Sequence, residues 1–193
     1  MGSRDDVNTT LGSAFPGLRA GQVRLVPYDP AWPAAYEREA ARLRQGLGDR
    51  ALAIAHIGST AVPGLPAKPL LDVMVAISSL GAIAELEPLL ETLGYVFHPR
   101  DTIPDRHFFI AGNGDLRRVN LSLVELDSAY WRNHLAFRDA LRTQPDTAAN
   151  YARLKAELAA LFPGNRLAYT DAKGAFVARV LAGAWAERGT SAR

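Results

Sequence analysis

Apolar residues recur along this chain at two periods, and the switches between those periods mark out its elements. Between residues 33 and 47, Tyr36, Ala40, Leu43 and Leu47 stand four, three and four apart, with Glu37, Arg38 and Arg42 between them. This predicts an amphipathic helix ended by Gly46 and Gly48. Ahead of it, residues 23–26 form a short strand candidate stopped by Pro27, and residues 29–33 a turn. Residues 51–57 and 70–77 read as strands, the second buried, separated by a segment with three prolines and two glycines in which regular structure is not expected. Ile83, Leu86, Leu89 or Leu90, and Leu93 mark a second helix closed by Gly94. Strands follow at 95–98, 107–111 and 116–125, the last two joined by the hairpin signal Gly112-Asn113-Gly114-Asp115. From Ser128 onward the chain reads as helical, over 128–143, 146–162 and 169–186, with breaks at Pro145 and Pro163-Gly164.

Strands crowd the first two thirds and helices the last, which predicts an α+β fold: a mixed sheet covered on one face by helices, in a single domain over residues 21–187. Residues 1–20 are polar with no evident periodicity and are expected to be a disordered tail that proteolysis removes without loss of stability; residues 188–193 form a second tail.

Composition narrows the function classes. The chain has 193 residues, 48% of them hydrophobic, and no cysteine, which excludes a disulfide framework, a cysteine-based zinc site and a cysteine nucleophile. Its 22 basic and 20 acidic residues leave a net charge of +2, and the arginines are scattered among acids, so no nucleic-acid partner is expected. No apolar run approaches the ~20 residues of a membrane span, and the start shows neither a secretory signal nor a lipidation pattern, so the expected setting is cytoplasmic, with no membrane partner. Only Lys68, Lys155 and Lys173 among the 22 basic residues are lysines; in an arginine-biased chain, such residues can mark places that need a compact ammonium.

The candidate chemistry gathers around His56-Ile57-Gly58-Ser59-Thr60 and Asp72. A Gly-Ser turn at a strand end lets backbone amides and a hydroxyl approach a phosphate, since glycine has no Cβ in the way. Asp72 interrupts an apolar strand, a costly placement unless the carboxylate meets a metal, a cation or several donors; the alternative is a strand-end cap. His56 is either a phosphate donor or acid/base group, or a buried histidine bonded to backbone. His98 and His134 have no metal-ligand spacing and read as structural, and His107 as a surface residue. Arg138 and Asp139 are adjacent, so no ready-made ion pair is expected between them. There is no P-loop.

The string HIGSTAVPGLPAKPLLDVMV strongly resembles the GrpB family. The resemblance continues through Trp32, the segment Pro104 to Phe109, Trp131 with Leu135 to Arg142, the Tyr151 and Leu154-Lys155 pattern, and Tyr169, Lys173 and Phe176; all three lysines fall on motif positions. It implies a nucleotidyltransferase-like fold that takes a nucleotide or another phosphorylated small molecule at the Gly-Ser turn. The implied ligand-binding residues are Gly58, Ser59, Thr60, Lys68, Arg106, Arg117, Asn120, Arg138 and Lys173. Asp72 and His56 are the catalytic candidates, and Asp72 the ligand for Mg²⁺. The enzymatic version is nucleotidyl transfer to an unidentified small acceptor. This sequence departs from the superfamily at position 74, where the second metal carboxylate is replaced by Met74, and over Arg117 to Leu123, which keeps the first arginine of an R-x-H-x-L-H-like motif of many relatives and loses both histidines; the expected site face holds Asp72, Met74, Asn120 and Ser122. Asp101, Asp105 and Glu125 are the remaining carboxylates near enough in sequence to help. The alternative is a non-catalytic binding or accessory module, linked to coenzyme A metabolism because GrpB-like domains also occur joined to dephospho-CoA kinase.

Overall fold

The computed structural model describes residues 5–98 and 103–190. Helix α2 (Trp32–Leu47) starts with a proline in its first turn, preceded by Asp29, whose Oδ1 accepts the Ala31 amide at 2.8 Å. It buries Trp32, Ala35, Tyr36, Ala40, Leu43 and Leu47, the stripe expected from their spacing. Gly48, at φ +57°, ends it. Gly46 does not; it lies within the helix, where a Cβ would stand 2.6 Å from a Leu93 methyl, so its small size lets the next helix approach.

Strands β2 (Ala53–Ile57) and β3 (Leu71–Ile77) are followed by α3 (Ile83–Thr92), β4 (Val96–Phe97), β5 (His107–Asn113) and β6 (Leu116–Glu125). With β1 (Leu18–Arg19) they form one mixed sheet in the order β2-β3-β6-β5-β4. β3 runs parallel to β6, β2 antiparallel to β3, and β1 pairs with β6 beyond the point where β3 begins. Residues 23–26 do not form a strand: Val26 makes an isolated bridge to Ala67.

Strand alternation divides the sheet into two faces. One carries Leu71, Val73 and Val75 of β3, Val119, Leu121 and Leu123 of β6, and Phe109 and Ala111 of β5, packed against α2, α3 and the N-terminal segment. Within this core Glu39 is fully buried; its carboxylate accepts Arg42 at 2.5 and 3.0 Å and the Tyr95 hydroxyl at 2.5 Å, which gives the ion its partners. On the other face, Ala55, Ile57, Met74, Ala76 and Val124 pack under Trp131 of α4 (Ala129–Thr143). Helices therefore lie on both faces, not on one. The C-terminal elements α5 (Pro145–Leu161), α6 (Arg166–Asp171) and α7 (Gly174–Thr190) complete the chain, and Tyr151, Leu141 and Phe176 pack on Val62 and Leu65 of the loop after β2. α7 runs to Thr190, past the expected start of a tail at 188.

The N-terminal segment is the main departure from expectation. Helix α1 (Asp5–Leu11) and the residues after it bury Val7, Leu11, Ala14, Phe15 and Leu18, each 8% exposed or less. Phe15 stacks on Trp32, whose indole Nε1 donates to the Ala14 carbonyl at 2.9 Å, and Arg118 donates to the carbonyls of Phe15 and Gly12. Apolar residues at 7, 11, 15 and 18 form a coherent buried stripe, so these residues belong to the core. Phe15→Ala should therefore lower the unfolding free energy by about 3–5 kcal/mol. Urea denaturation measures this, and a detached tail would show no change.

Candidate functional site

Past the edge of α4, the second sheet face is left uncovered around Asp72. Asp72 pairs with Ile57 on one side and Asn120 on the other, and Met74 pairs with Ser122, so Asp72, Asn120 and Ser122 share this face as alternation predicts. Asn120 Nδ2 donates to Asp72 Oδ1 at 2.7 Å. Gly58 turns directly over the carboxylate: its φ is +73°, and a Cβ there would fall inside van der Waals contact with Asp72 Oδ2 and 3.0 Å from Cγ. Both the backbone conformation and the close approach require glycine.

A cleft of about 300 Å³ opens above Asp72. The positive residues lining it are Lys68, Arg106, Arg117, Lys155, Arg166 and Lys173, against Asp72 as its carboxylate. The chain's three lysines thus come from three different segments to one cavity. Lys68 and Lys173 stand over the Tyr169 ring at 5.3 and 4.5 Å, and Lys155 over Tyr151 at 5.0 Å. Lys155 is 2% exposed and donates to the Pro66 carbonyl. Burial, reinforced by the charges of Lys173 and Lys68, depresses its pKa to about 7. Burial and Lys68 lower Lys173 to about 8, partly opposed by Asp72, and burial also lowers Lys68. Arg106 stacks at 4.4 Å on Phe108 and donates to the Tyr130 hydroxyl at 2.6 Å and to Ser122 Oγ at 3.3 Å. Arg117 reaches Asn120 Oδ1 at 3.5 Å.

Of the residues singled out from sequence, Gly58, Ser59, Thr60, Lys68, Asp72, Arg106, Arg117, Asn120 and Lys173 line this cleft. Lys173 sits in the short break between α6 and α7 instead of on the last helix. His56 does not join them. It alternates with Ile57, so its ring lies on the opposite sheet face, stacked 4.6 Å from Tyr36 and 3.0 Å from Thr60 Oγ1. The Thr60 hydroxyl also reaches the Leu70 carbonyl at 3.4 Å. Burial, with Arg142 and Arg138 nearby, takes the pKa of His56 down to about 3, so it is a neutral structural imidazole. Arg138 also lies outside the cleft, donating to the His56 carbonyl at 3.1 Å. Its Nε donates to Asp139 at 2.8 Å, so the adjacent pair does form, because the long arginine side chain folds back along its helix.

The carboxylates that were to assist Asp72 are elsewhere. Glu125 accepts the Leu80 amide at the far end of β6, Asp105 is exposed outside the cleft, and Asp101 lies outside the described residues. Met74 is fully buried beneath Trp131 and does not face the cleft. No cluster of three or more His, Asp or Glu with metal-binding geometry occurs among the described residues. A single carboxylate already accepting from Asn120 and set among cations is a poor donor set for Mg²⁺, which wants several oxygen ligands. The described residues do not fit a metal of the protein's own.

Sequence reading missed Arg166, His134 and the rings of Tyr130, Tyr151 and Tyr169 as cleft residues, and it singled out Lys155 without assigning it to the site. Lys155 had a signal: Tyr151, Lys155 and Leu158 are the buried stripe of α5 at spacings of four and three. His134 stacks 3.9 Å from Tyr130, and its Nδ1 donates to the Tyr130 carbonyl at 2.8 Å, which leaves Nε2 as the acceptor. Burial lowers its pKa, so it is neutral near pH 7.

Residues 22–182 match the GrpB protein family. The chain belongs to the GrpB family. A UPF0157 protein of Pseudomonas aeruginosa is 39% identical over 163 residues, covering 83% of this chain and 66% of that protein. The structure is similar to that of the conserved protein GrpB from Enterococcus faecalis, with a TM-score of 0.77 and 31% identity, over 86% of this chain and 99% of that one. A dephospho-CoA kinase of Mycolicibacterium paratuberculosis is 51% identical over 72 residues, 35% of this chain and 18% of that protein. No helix among the described residues is long and apolar enough to cross a membrane.

The depressed lysines predict a pH dependence. The folded chain gives up the Lys155 proton near pH 7, whereas the unfolded chain keeps it to about 10.5. The unfolded state therefore binds more protons between these values, and stability rises with pH across that window. Urea denaturation from pH 7 to 10 should show a gain of roughly 1–3 kcal/mol, and Lys155→Met should reduce it, the remainder coming from Lys173 and Lys68, whose pKa values are also lowered.

Proposed function

We propose that this GrpB-family protein binds a nucleotide or another phosphorylated small molecule in the cleft above Asp72. One observation carries this reading: six cationic side chains, including every lysine of the chain, line a cavity in which Asp72 is the carboxylate. Like charges brought together out of water repel, and a bound polyanion offsets that cost. Lysines at 68, 155 and 173 act as point charges, while the guanidinium groups of Arg106 and Arg117, stacked on Phe108, are suited to hold phosphate oxygens directionally.

Binding without transfer chemistry is the version the donor set favours. Phosphoryl and nucleotidyl transfer by paired metals needs carboxylates in pairs, and among the described residues Asp72 is the one carboxylate lining the cleft, while Met74 is sealed in the core. Asp72 orients Asn120 and offsets Lys68 and Lys173. An accessory role beside coenzyme A metabolism is a narrower version, supported by the short stretch shared with dephospho-CoA kinase.

A thermal-shift screen of nucleotides, pyrophosphate and phosphorylated metabolites, with and without Mg²⁺, should find ligands that raise the melting temperature. Calorimetric titration with such a ligand should show Lys173→Ala weakening binding by about 1–2 kcal/mol, with little change in the melting temperature of the free protein. Unchanged affinity in that variant would remove the lysines from the site.

A further inference from the structure

We propose that the ligand is an organic phosphate whose other end is a compact apolar or aromatic group, held in a second cavity between α4 and α7. This rests on the reading of the lysine cleft as a phosphate site, and it specifies what the phosphate is attached to.

The second cavity, of about 210 Å³, adjoins the cleft: Gly58, His134, Phe137 and Tyr151 line both. Its remaining walls are mainly Leu141, Val177 and Leu181. Cavities of about 150 Å³ with aliphatic and aromatic walls admit a benzene-sized molecule, so a ring or short branched chain fits here. Several bonding atoms of the polar residues around it are committed elsewhere. Asn133 Oδ1 accepts the Trp185 indole at 3.1 Å, Arg138 donates to the His56 carbonyl and to Asp139, and His134 Nδ1 donates to the Tyr130 carbonyl. What the cavity offers is removal of apolar surface from water, more than hydrogen bonds to a sugar or other polar group.

The junction has the same character. The Phe137 ring meets Tyr151 edge-on at 5.3 Å, and the Tyr151 hydroxyl lies near Ser59 on the phosphate side, where burial holds its pKa well above the usual phenol value. One side chain thus presents its hydroxyl to the charged cleft and its ring to the apolar cavity, as a ligand with a charged head and an apolar tail requires.

Calorimetric titration of the full chain with methyl phosphate, phenyl phosphate and ribose 5-phosphate tests this, because all three carry the same monoester dianion. Phenyl phosphate should bind at least about tenfold more tightly than methyl phosphate, and ribose 5-phosphate should show no such gain. Leu181→Trp, which fills the cavity from α7, should bring the phenyl-to-methyl affinity ratio to about one; Val177→Phe serves the same purpose if that variant does not fold. Equal binding of methyl and phenyl phosphate would overturn the apolar-tail inference and leave the phosphate site standing. No binding of any of the three would overturn both.

Discussion

Ammonium groups buried side by side repel one another and lose hydration, and the site end of this protein is organised around that cost. Lys155 is almost wholly out of water, with Lys68 and Lys173 close enough to depress its pKa. Three features offset the penalty: the Pro66 carbonyl accepts Lys155, the faces of Tyr151 and Tyr169 lie under the three ammonium groups, and Asp72 supplies the opposite charge. The Tyr151–Lys155 and Tyr169–Lys173 pairs are local in sequence, and the rest of the cluster is not. Pro66 and Lys68 come from the loop after β2, Asp72 from β3, Tyr151 and Lys155 from α5, and Tyr169 and Lys173 from α6 and the turn after it. The cluster exists only when the C-terminal helices have docked on the loop through Val62, Leu65, Leu141 and Phe176.

The rest of the fold supplies what that docking needs. The first sheet face, covered by α1, α2 and α3, is continuous and apolar, with one fully satisfied ion pair between Glu39 and Arg42. The second face is divided: the half under Trp131 is packed, and the half at Asp72 is left for the cleft. Met74 and Asp72 are two residues apart on the same face, yet Met74 packs with Trp131 while Asp72 lines the cleft, so one is core and the other is site. An acidic residue at position 74 would lie under Trp131, so a paired metal site would require α4 to sit differently.

Strand alternation made much of this legible. Asp72, Asn120 and Ser122 could be assigned to one face from spacing alone, and the β3–β6 register brings them together. The same rule, applied through the pairing of Ile57 with Asp72, puts His56 on the far face; that step needs the register, which a single sequence does not show. Gly58 was legible as a turn, but its closeness to Asp72 was not, because it depends on how β2 crosses to β3. The N-terminal segment was misread because its apolar residues, Val7, Leu11, Phe15 and Leu18, are thinly spread among polar ones, and only their docking on Trp32 and Arg118 makes them a stripe. The scarcity of lysine pointed to all three positions; what it did not show is that they converge.

That convergence can be measured directly because the chain has only three lysines. With lysine labelled at its ε-carbon, an NMR pH titration yields three resonances, assigned by single Lys→Arg variants. Two should titrate far below the ordinary value of 10.5, Lys155 near 7 and Lys173 near 8, and the third should also be lowered. Saturating pyrophosphate should raise all three midpoints together. Three independent titrations near 10.5, unmoved by the anion, would contradict the account.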